Sequence, residues 1–463
     1  MSASTETSRI SKLFVDRDQT SPAEVLARRQ SHIVTLVCGE DIRGSYTLQA
    51  AVLTAASIAV RCFPNAVWVA LPASLKGASL LVWPNLGWTF HHALADIVGA
   101  DAILDTELET PAGSVIGFGD FTPTRNSLRV TFDGWAAKVG PAAQVPRLAE
   151  REYCSLAGAL GAGLALSELF LSFAQVNLAA SRRPVALSLW RPDLDADHPD
   201  ALGIPVEFLP KDLWALGLGH LGNAYLWGLS ILPYRDPAEV EFMLMDFDKV
   251  EKENVETGLL FRASAEHRYK AQVCSNWLGL RGFRTRLVER RFDGNFRTQE
   301  MDSRLALCGF DSNPARRCLA TADFSRIVES GLGGTMNNFD TISLHTLPHA
   351  RPVAELWPDP SPEERSRQRR HQEEVARTNK GYAHALRDEC GRYEFAGKAV
   401  AVPFVGAVAA SLVLAEVLRL LHEGVACSDL KLRLGSIDNR SCVIRGTYGA
   451  EDLHGFGFCE AAD

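Results

Sequence analysis

A pattern that occurs twice is the strongest constraint on this chain. The apolar run LAGALGAGLALSELFLSFAQ (156–175) sets Gly158 ahead of Glu168 just as AVAVPFVGAVAASLVLAEVLRLL (399–421) sets Gly406 ahead of Glu416. A strand-like piece follows each run, PVALSLW after the first and LKLRLGSID after the second. Upstream, SVIGFGD (114–120) echoes LALCGFD (305–311), and IVTLVCGEDIRGSYTLQAAVLTAA (33–56) echoes DLWALGLGHLGNAYLWGLSIL (212–232). Each copy alternates strand, tight turn, helix and strand, as a parallel, doubly wound sheet requires. Matched elements in one order predict two units of common architecture. A chain of 463 residues also exceeds an ordinary single core, since domains run from about 50 to 250 residues.

The expected fold is therefore α/β, with two Rossmann-like doubly wound units at 1–200 and 205–450 forming a pseudo-dimer. The second copy is longer between Asp311 and Gly406. Part of the excess is WPDPSPEERSRQRRHQEEVARTNKGYAHALRDEC (357–390), Pro-rich and then charge-rich, which predicts a helical or loop insertion at about 345–398 on the surface. The two apolar runs are long enough to suggest membrane spans. Each carries a glutamate, and the second also carries Pro403 and Arg419, so buried helices are the better reading.

Bulk charge narrows the function classes. A net charge of −8 argues against bulk affinity for nucleic acid or anionic membrane. The N-terminus shows no basic stretch leading into an apolar core, so no secretory signal is expected. Ten scattered cysteines without a CxxC pair disfavour a structural zinc site and suit reduced thiols in a cytoplasm.

Only the second copy is built to hold a phosphate. Gly217, Gly219 and Gly222 form GxGxxG, followed by Asn223, between a strand and an apolar helix. Glycines let the backbone turn sharply, and the helix start offers unpaired N–H groups. The first copy has CGEDIRG instead, placing Glu40 and Asp41 where phosphate oxygens would need donors, so it is expected to be nucleotide-free. Asp246 ends the next strand of the second copy, where a dinucleotide-binding unit takes ribose hydroxyls, so an NAD-dependent oxidoreductase is open at this point. Asp248, Asn254, Arg262, Lys270 and Asp311 lie beyond what hydride transfer needs. Two cations, an amide and extra carboxylates around one phosphate loop suit a triphosphate with Mg²⁺, with Asp311 as metal ligand.

This constellation resembles the ThiF-type adenylating domain of ubiquitin-activating enzymes and of bacterial enzymes that adenylate sulfur-carrier proteins. The matching pieces are GLGHLGN, DFDKVEKEN, TGLLFR, RYK and LCGFDSNPAR, from about Lys211 to Arg316, and PFVGAVAA in the later apolar helix. The resemblance implies that Asp246 binds ribose, that Asn254 and Lys270 bind the triphosphate, and that Asp311 coordinates Mg²⁺. Where the family has Arg-Gln, this chain has Thr257-Gly258, so the phosphate-facing arginine would be Arg262, Arg9 or Arg17.

The resemblance also implies a cysteine that captures the activated acyl group in a loop leading into the later helix, a position held here by Cys390. A thiolate suits that step because AMP leaves readily and the thioester keeps the activation. Arg387, Arg392 and Lys398 surround Cys390 with positive charge, opposed by Asp388 and Glu389. Cys38 and Cys308 lie in apolar strands, Cys274 and Cys318 on expected helices, and Cys427 and Cys442 near the last strands. His345, His349, His371 and His384 flank the insertion with no fixed geometry. The expected activity is ATP-dependent activation of a ubiquitin-like protein, thioester transfer to Cys390 and hand-over to a conjugating-enzyme-like partner. Relatives of this build occur in bacterial antiviral defence, and the fused pseudo-dimer leaves room for a higher oligomer. A sulfur-carrier adenylyltransferase and a decayed scaffold are the alternatives.

Overall fold

The computed structural model describes residues 8–106, 112–385 and 389–462, with side chains for all of these except 383–385. Arg387 and Asp388 lie outside the described residues, as does the His384 side chain.

The first unit is a seven-stranded sheet. Its strands are β1 (Val34–Cys38), β2 (Val67–Leu71), β3 (Ile103–Asp105), β4 (Ser114–Phe118), β5 (Ser127–Asp133), β6 (Ala136–Pro141) and β7 (Val185–Ser188). They lie in the order β3-β2-β1-β4-β5-β6-β7, parallel through β5 and antiparallel from there on. After a short strand β8 (Phe208–Pro210), the second unit begins with β9 (Asp212–Leu216) and continues with β10 (Glu241–Met245), β11 (Arg284–Val288), β12 (Leu305–Cys308) and β13 (Arg326–Leu332). Then come β14 (Thr341–Leu347), β15 (Val425–Arg433) and β16 (Ser441–Thr447), while β17 (Phe458–Glu460) pairs with β8. The second sheet has the order β11-β10-β9-β12-β13-β14-β15-β16, with the same change from parallel to antiparallel after its fifth position. The repeat in the sequence is thus a repeat of topology: two Rossmann-like units, with β9 standing to β12 as β1 stands to β4. The crevice at such a reversal of strand order is where α/β sheets bind ligands.

The apolar helices explain how the units join. Leu156–Phe173 and Pro403–Leu421 have the length and hydropathy of membrane spans, yet 89% and 100% of their apolar windows are buried inside the protein. Both are surrounded by one continuous core shared by the two units. Phe170 and Phe404 meet across this seam at 5.4 Å between ring centroids. The indoles lock the same seam: Trp83 Nε1 donates to Ser230 O (3.0 Å) and Trp227 Nε1 donates to Thr54 Oγ1 (2.9 Å). Arg61, from the first unit, donates to the carbonyls of Gly258, Leu259 and Phe261. Arg29 is fully buried and pairs with Glu256 at 3.1 Å.

The insertion follows β14 and carries the helices Pro362–Thr378, Lys380–Ala385 and Glu389–Gly397. Ser361 and Glu364 form a capping box at the start of the first helix, which buries only Ala376. The insertion is anchored to the N-terminal segment. Tyr382 and Phe395 pack on Val15, Lys12 Nζ donates to Tyr382 Oη (2.6 Å), and Asn379 Nδ2 donates to Val15 O (2.8 Å).

Candidate functional site

The loop after β9 is clamped from both sides. Gly217 adopts a left-handed φ of +80°, and a Cβ on Gly222 would come within 2.0 Å of the Gly217 carbonyl oxygen, so the turn closes only with glycine at both positions. Asn223, fully buried, donates to the Leu218 and Gly219 carbonyls at 2.8 and 3.1 Å and accepts from Leu260 N at 3.1 Å. On the other side, Asp246 at the end of β10 accepts from Leu218 N at 2.7 Å and from Asp248 N at 2.8 Å. Gly219 faces open space, with nothing within 4 Å of where a Cβ would stand. The bare backbone there and the start of the His220–Ser230 helix border a cavity of 630 Å³.

The cavity gathers residues from distant parts of the chain. Gly217, Gly219, Asp246, Asp248, Asn254, Lys270 and Asp311 all line it, joined by Arg9 from the N-terminal segment. Lys270 Nζ lies 3.2 Å from the Asp248 carboxylate. Burial raises the Asp246 carboxyl above its usual range, and nearby Lys270 works against this. Asn254 Oδ1 accepts from Glu251 N at 2.9 Å, closing a short capping turn, while its Nδ2 has no partner among the described residues. Arg9 Nε donates to Ala399 O at 3.0 Å; burial lowers its pKa, and Glu253, Asp311 and Glu256 pull the other way. Arg316 donates to Phe310 O and pairs at 2.9 Å with Glu329, which is fully buried and also bonds His345.

In the first unit the equivalent turn is filled by its own side chains. Asp41 accepts from Asp120 N at 2.9 Å and forms an ion pair with Arg147. A carboxylate thus occupies the loop where the second unit leaves room.

Comparison with known proteins follows this division. The BilD N-terminal domain family matches residues 33–189, and the BilD C-terminal domain family matches residues 209–424. A curated relative, the bacterial E1-like protein BilD of Collimonas sp. (strain OK412), is 34% identical over 423 residues, covering 90% of this chain and 89% of that protein. The chain belongs to the BilD family of bacterial E1-like proteins. Among solved structures, E. coli MccB matches 52% of this chain and 63% of its own, at 13% identity and a TM-score of 0.33. E. coli MccB with ATP matches 52% and 65%, at 12% identity and a TM-score of 0.32. The chain therefore spans less than two thirds of the MccB chain it matches.

Several candidate residues of this BilD-family chain stand away from the cavity. Arg262 forms an ion pair with Asp96 of the first unit and does not line it. Its side chain leaves the loop on the side facing the other unit. Arg17 donates to Ala174 O and pairs with Asp18, so among the arginine candidates only Arg9 reaches the site. Gly222 and Asn223 stand behind the loop and shape it without facing the cavity. Cys390 is exposed in the first turn of the Glu389–Gly397 helix and does not line the cavity. His349 bonds Asp429 at 2.9 Å, and His345 bonds Glu329 at the same distance.

The cavity also holds residues that pattern reading left out. Arg290 and Arg291 enter it after β11, with Arg291 4.8 Å above the Phe247 ring. The signal for them was the basic pair in VERRFD. His220, held down to about 3 by burial and the nearby Arg9 charge, is a neutral wall residue. Cys318, half-buried, lies on the wall beyond Asp311, its thiol donating to Pro314 O at 3.3 Å.

Proposed function

We propose that the second unit binds ATP in this cavity and uses it to adenylate the C-terminal carboxylate of a ubiquitin-like protein. The observation that carries the reading is the convergence of the Gly217–Gly219 loop, Asp246, Asn254, Lys270, Asp311 and Arg9 on one 630 Å³ cavity. That volume suits a nucleotide, small-ligand sites spanning roughly 300–1,000 Å³. Asp246 faces the ribose, and the N–H groups at the start of the His220–Ser230 helix and the unpartnered Asn254 amide face the phosphates. A carboxylate oxygen of the modifier attacks the α-phosphorus, the bond to the bridging oxygen breaks, and pyrophosphate leaves. Lys270 and Arg9 neutralise the charge that grows on the phosphates during this displacement. Arg9 takes the place vacated at Thr257.

The residues fit a divalent cation. Asp311 makes no hydrogen bond among the described residues, and no group of three metal-ligating side chains occurs among them. Mg²⁺ is usually held by one or two carboxylates together with substrate phosphates and waters, so a single free carboxylate is enough. Bound there, the ion supplies charge neutralisation at the phosphates.

In a second step the Cys390 thiolate attacks the acyl carbonyl, AMP leaves and a thioester forms, the thiol proton passing to solvent. Exposure of Cys390 suits hand-over to a conjugating-enzyme-like protein. From Cys390 the helix runs to Gly397, about 10 Å along its axis at ~1.5 Å per residue. The chain then reaches the cavity wall at Ala399–Val402. Acyl transfer therefore requires the helix or the modifier tail to move. The same separation favours one alternative, a sulfur-carrier adenylyltransferase that releases the adenylate without a thioester. Ten free thiols support a reducing cytoplasm, and a role in bacterial antiviral defence is carried by the family resemblance.

The test is to incubate the chain with ATP, Mg²⁺ and a candidate ubiquitin-like protein. The proposal expects modifier-dependent exchange of pyrophosphate into ATP and a thiol-sensitive adduct lost in Cys390→Ala. Exchange without adduct would support the sulfur-carrier reading, and neither would leave the decayed scaffold.

A further inference from the structure

A second concavity, of 820 Å³, opens at the far end of the first unit. It lies where β1, β4 and β5 begin, between His32, Ser114 and Ser127, so it is separate from the turn blocked by Asp41. Arg28, Arg125, Arg182 and His32 line it, and no aspartate or glutamate does among the described residues. In a chain of net charge −8, a concavity lined by three guanidiniums, with no carboxylate among the described lining residues, is a local inversion of sign that attracts anions.

The cations are not equivalent. Arg28 is committed to the fold: its Nη2 donates to Phe173 O at 2.9 Å, and its guanidinium lies 5.0 Å above the Phe173 ring. It caps the C-terminal end of the Leu156–Phe173 helix, where orphan carbonyls carry partial negative charge. His32 bonds Ser114 Oγ at 3.1 Å, and burial together with Arg28 keeps its pKa below the usual value, so it stays neutral. Arg125 and Arg182 remain. Both are exposed, and neither side chain makes a hydrogen bond or ion pair among the described residues. A guanidinium presents paired donors that match phosphate oxygens.

We propose that this concavity binds a small phosphorylated ligand with at least two phosphate charges, held by Arg125 and Arg182. The volume is that of a small-molecule site, roughly 300–1,000 Å³, and the exposed Gln144 amide adds a neutral donor for a further phosphate oxygen. The site does not depend on what the second unit binds.

The experiment is a calorimetric titration of inorganic pyrophosphate into full-length Lys270→Ala protein, which weakens the first cavity. Binding at one site per chain is expected, tighter at low salt. Adding Arg125→Ala and Arg182→Ala should weaken it at least tenfold, roughly the loss of one charge-assisted contact or more. The double substitution alone, in otherwise wild-type protein, should leave the circular dichroism spectrum unchanged, because both side chains are exposed and make no hydrogen bond or ion pair among the described residues. Repeating the titration with ATP distinguishes a nucleotide, which would bind more tightly than pyrophosphate, from a bare phosphate ligand. Absence of binding, or binding that the double substitution leaves unchanged, overturns the proposal.

Discussion

Removing Arg9 separates the two roles given to the N-terminal segment. In Arg9→Ala the hydrogen bond to Ala399 O is lost, a cost of about 1 kcal/mol that acts on folding. A larger cost falls on the reaction. Asp311 lines the cavity with Arg9 and acts on its guanidinium, so removing Arg9 leaves that carboxylate uncompensated beside the incoming phosphates. Deleting one preorganised donor at developing charge typically costs ~3–4 kcal/mol, or about 10²–10³ in rate. The assay is modifier-dependent exchange of labelled pyrophosphate into ATP, read as kcat/KM. The expected outcome for Arg9→Ala is a drop of about two to three orders of magnitude with only a small shift in the urea midpoint. Arg9→Lys, which keeps the charge but loses the paired geometry, should recover part of the rate. An Arg9→Ala protein that exchanges pyrophosphate within twofold of wild type would refute the assignment of Arg9 to the phosphates.

Other substitutions test neighbouring claims. Arg262→Ala breaks an exposed ion pair with Asp96, so it should cost less than about 1 kcal/mol in urea unfolding and leave exchange unchanged. Asn223→Ala leaves two loop carbonyls and Leu260 N without their partner in a buried place, and should lower the unfolding free energy by roughly 2–4 kcal/mol while weakening ATP binding. Glu168 is buried, with Ser181 N as its one hydrogen-bond partner among the described residues, and burial raises its pKa. A carboxyl raised in the folded state favours folding while protonated, and this contribution fades as pH rises through the folded pKa. Glu168→Gln should therefore be more stable than wild type at pH 7, measured by urea melts, with the difference vanishing on acidification to the ordinary carboxyl range.

How much of this could be read from the chain depended on distance in sequence. The two-unit repeat was legible because Gly158 and Glu168, like Gly406 and Glu416, hold fixed spacing within single helices. Gly217, Gly219, Asp246 and Asp311 were legible for a similar reason: each follows a parallel strand at its C-terminal end, where topology brings loops together. Spacing does not tell which side of a loop a side chain leaves from. Arg262 follows the same loop as Asn254, yet it turns to Asp96 in the other unit. Asn223 stands beside the glycine turn, but the loop's own carbonyls claim its amide. Arg9 reaches the site only because Val15 and Lys12 dock the N-terminal segment on the insertion, a contact across most of the chain's length. The position of Cys390 was legible from the insertion. Its separation from the cavity was not, since that depends on how the Glu389–Gly397 helix lies.

The central claim is that the second unit activates a carboxylate with ATP. Its most direct test is modifier-dependent ATP–pyrophosphate exchange measured in Cys390→Ala beside Lys270→Ala. Robust exchange in the cysteine variant and its collapse in the lysine variant are the predicted results. Equal exchange in the lysine variant, or none in wild-type protein supplied with its modifier, would contradict the account.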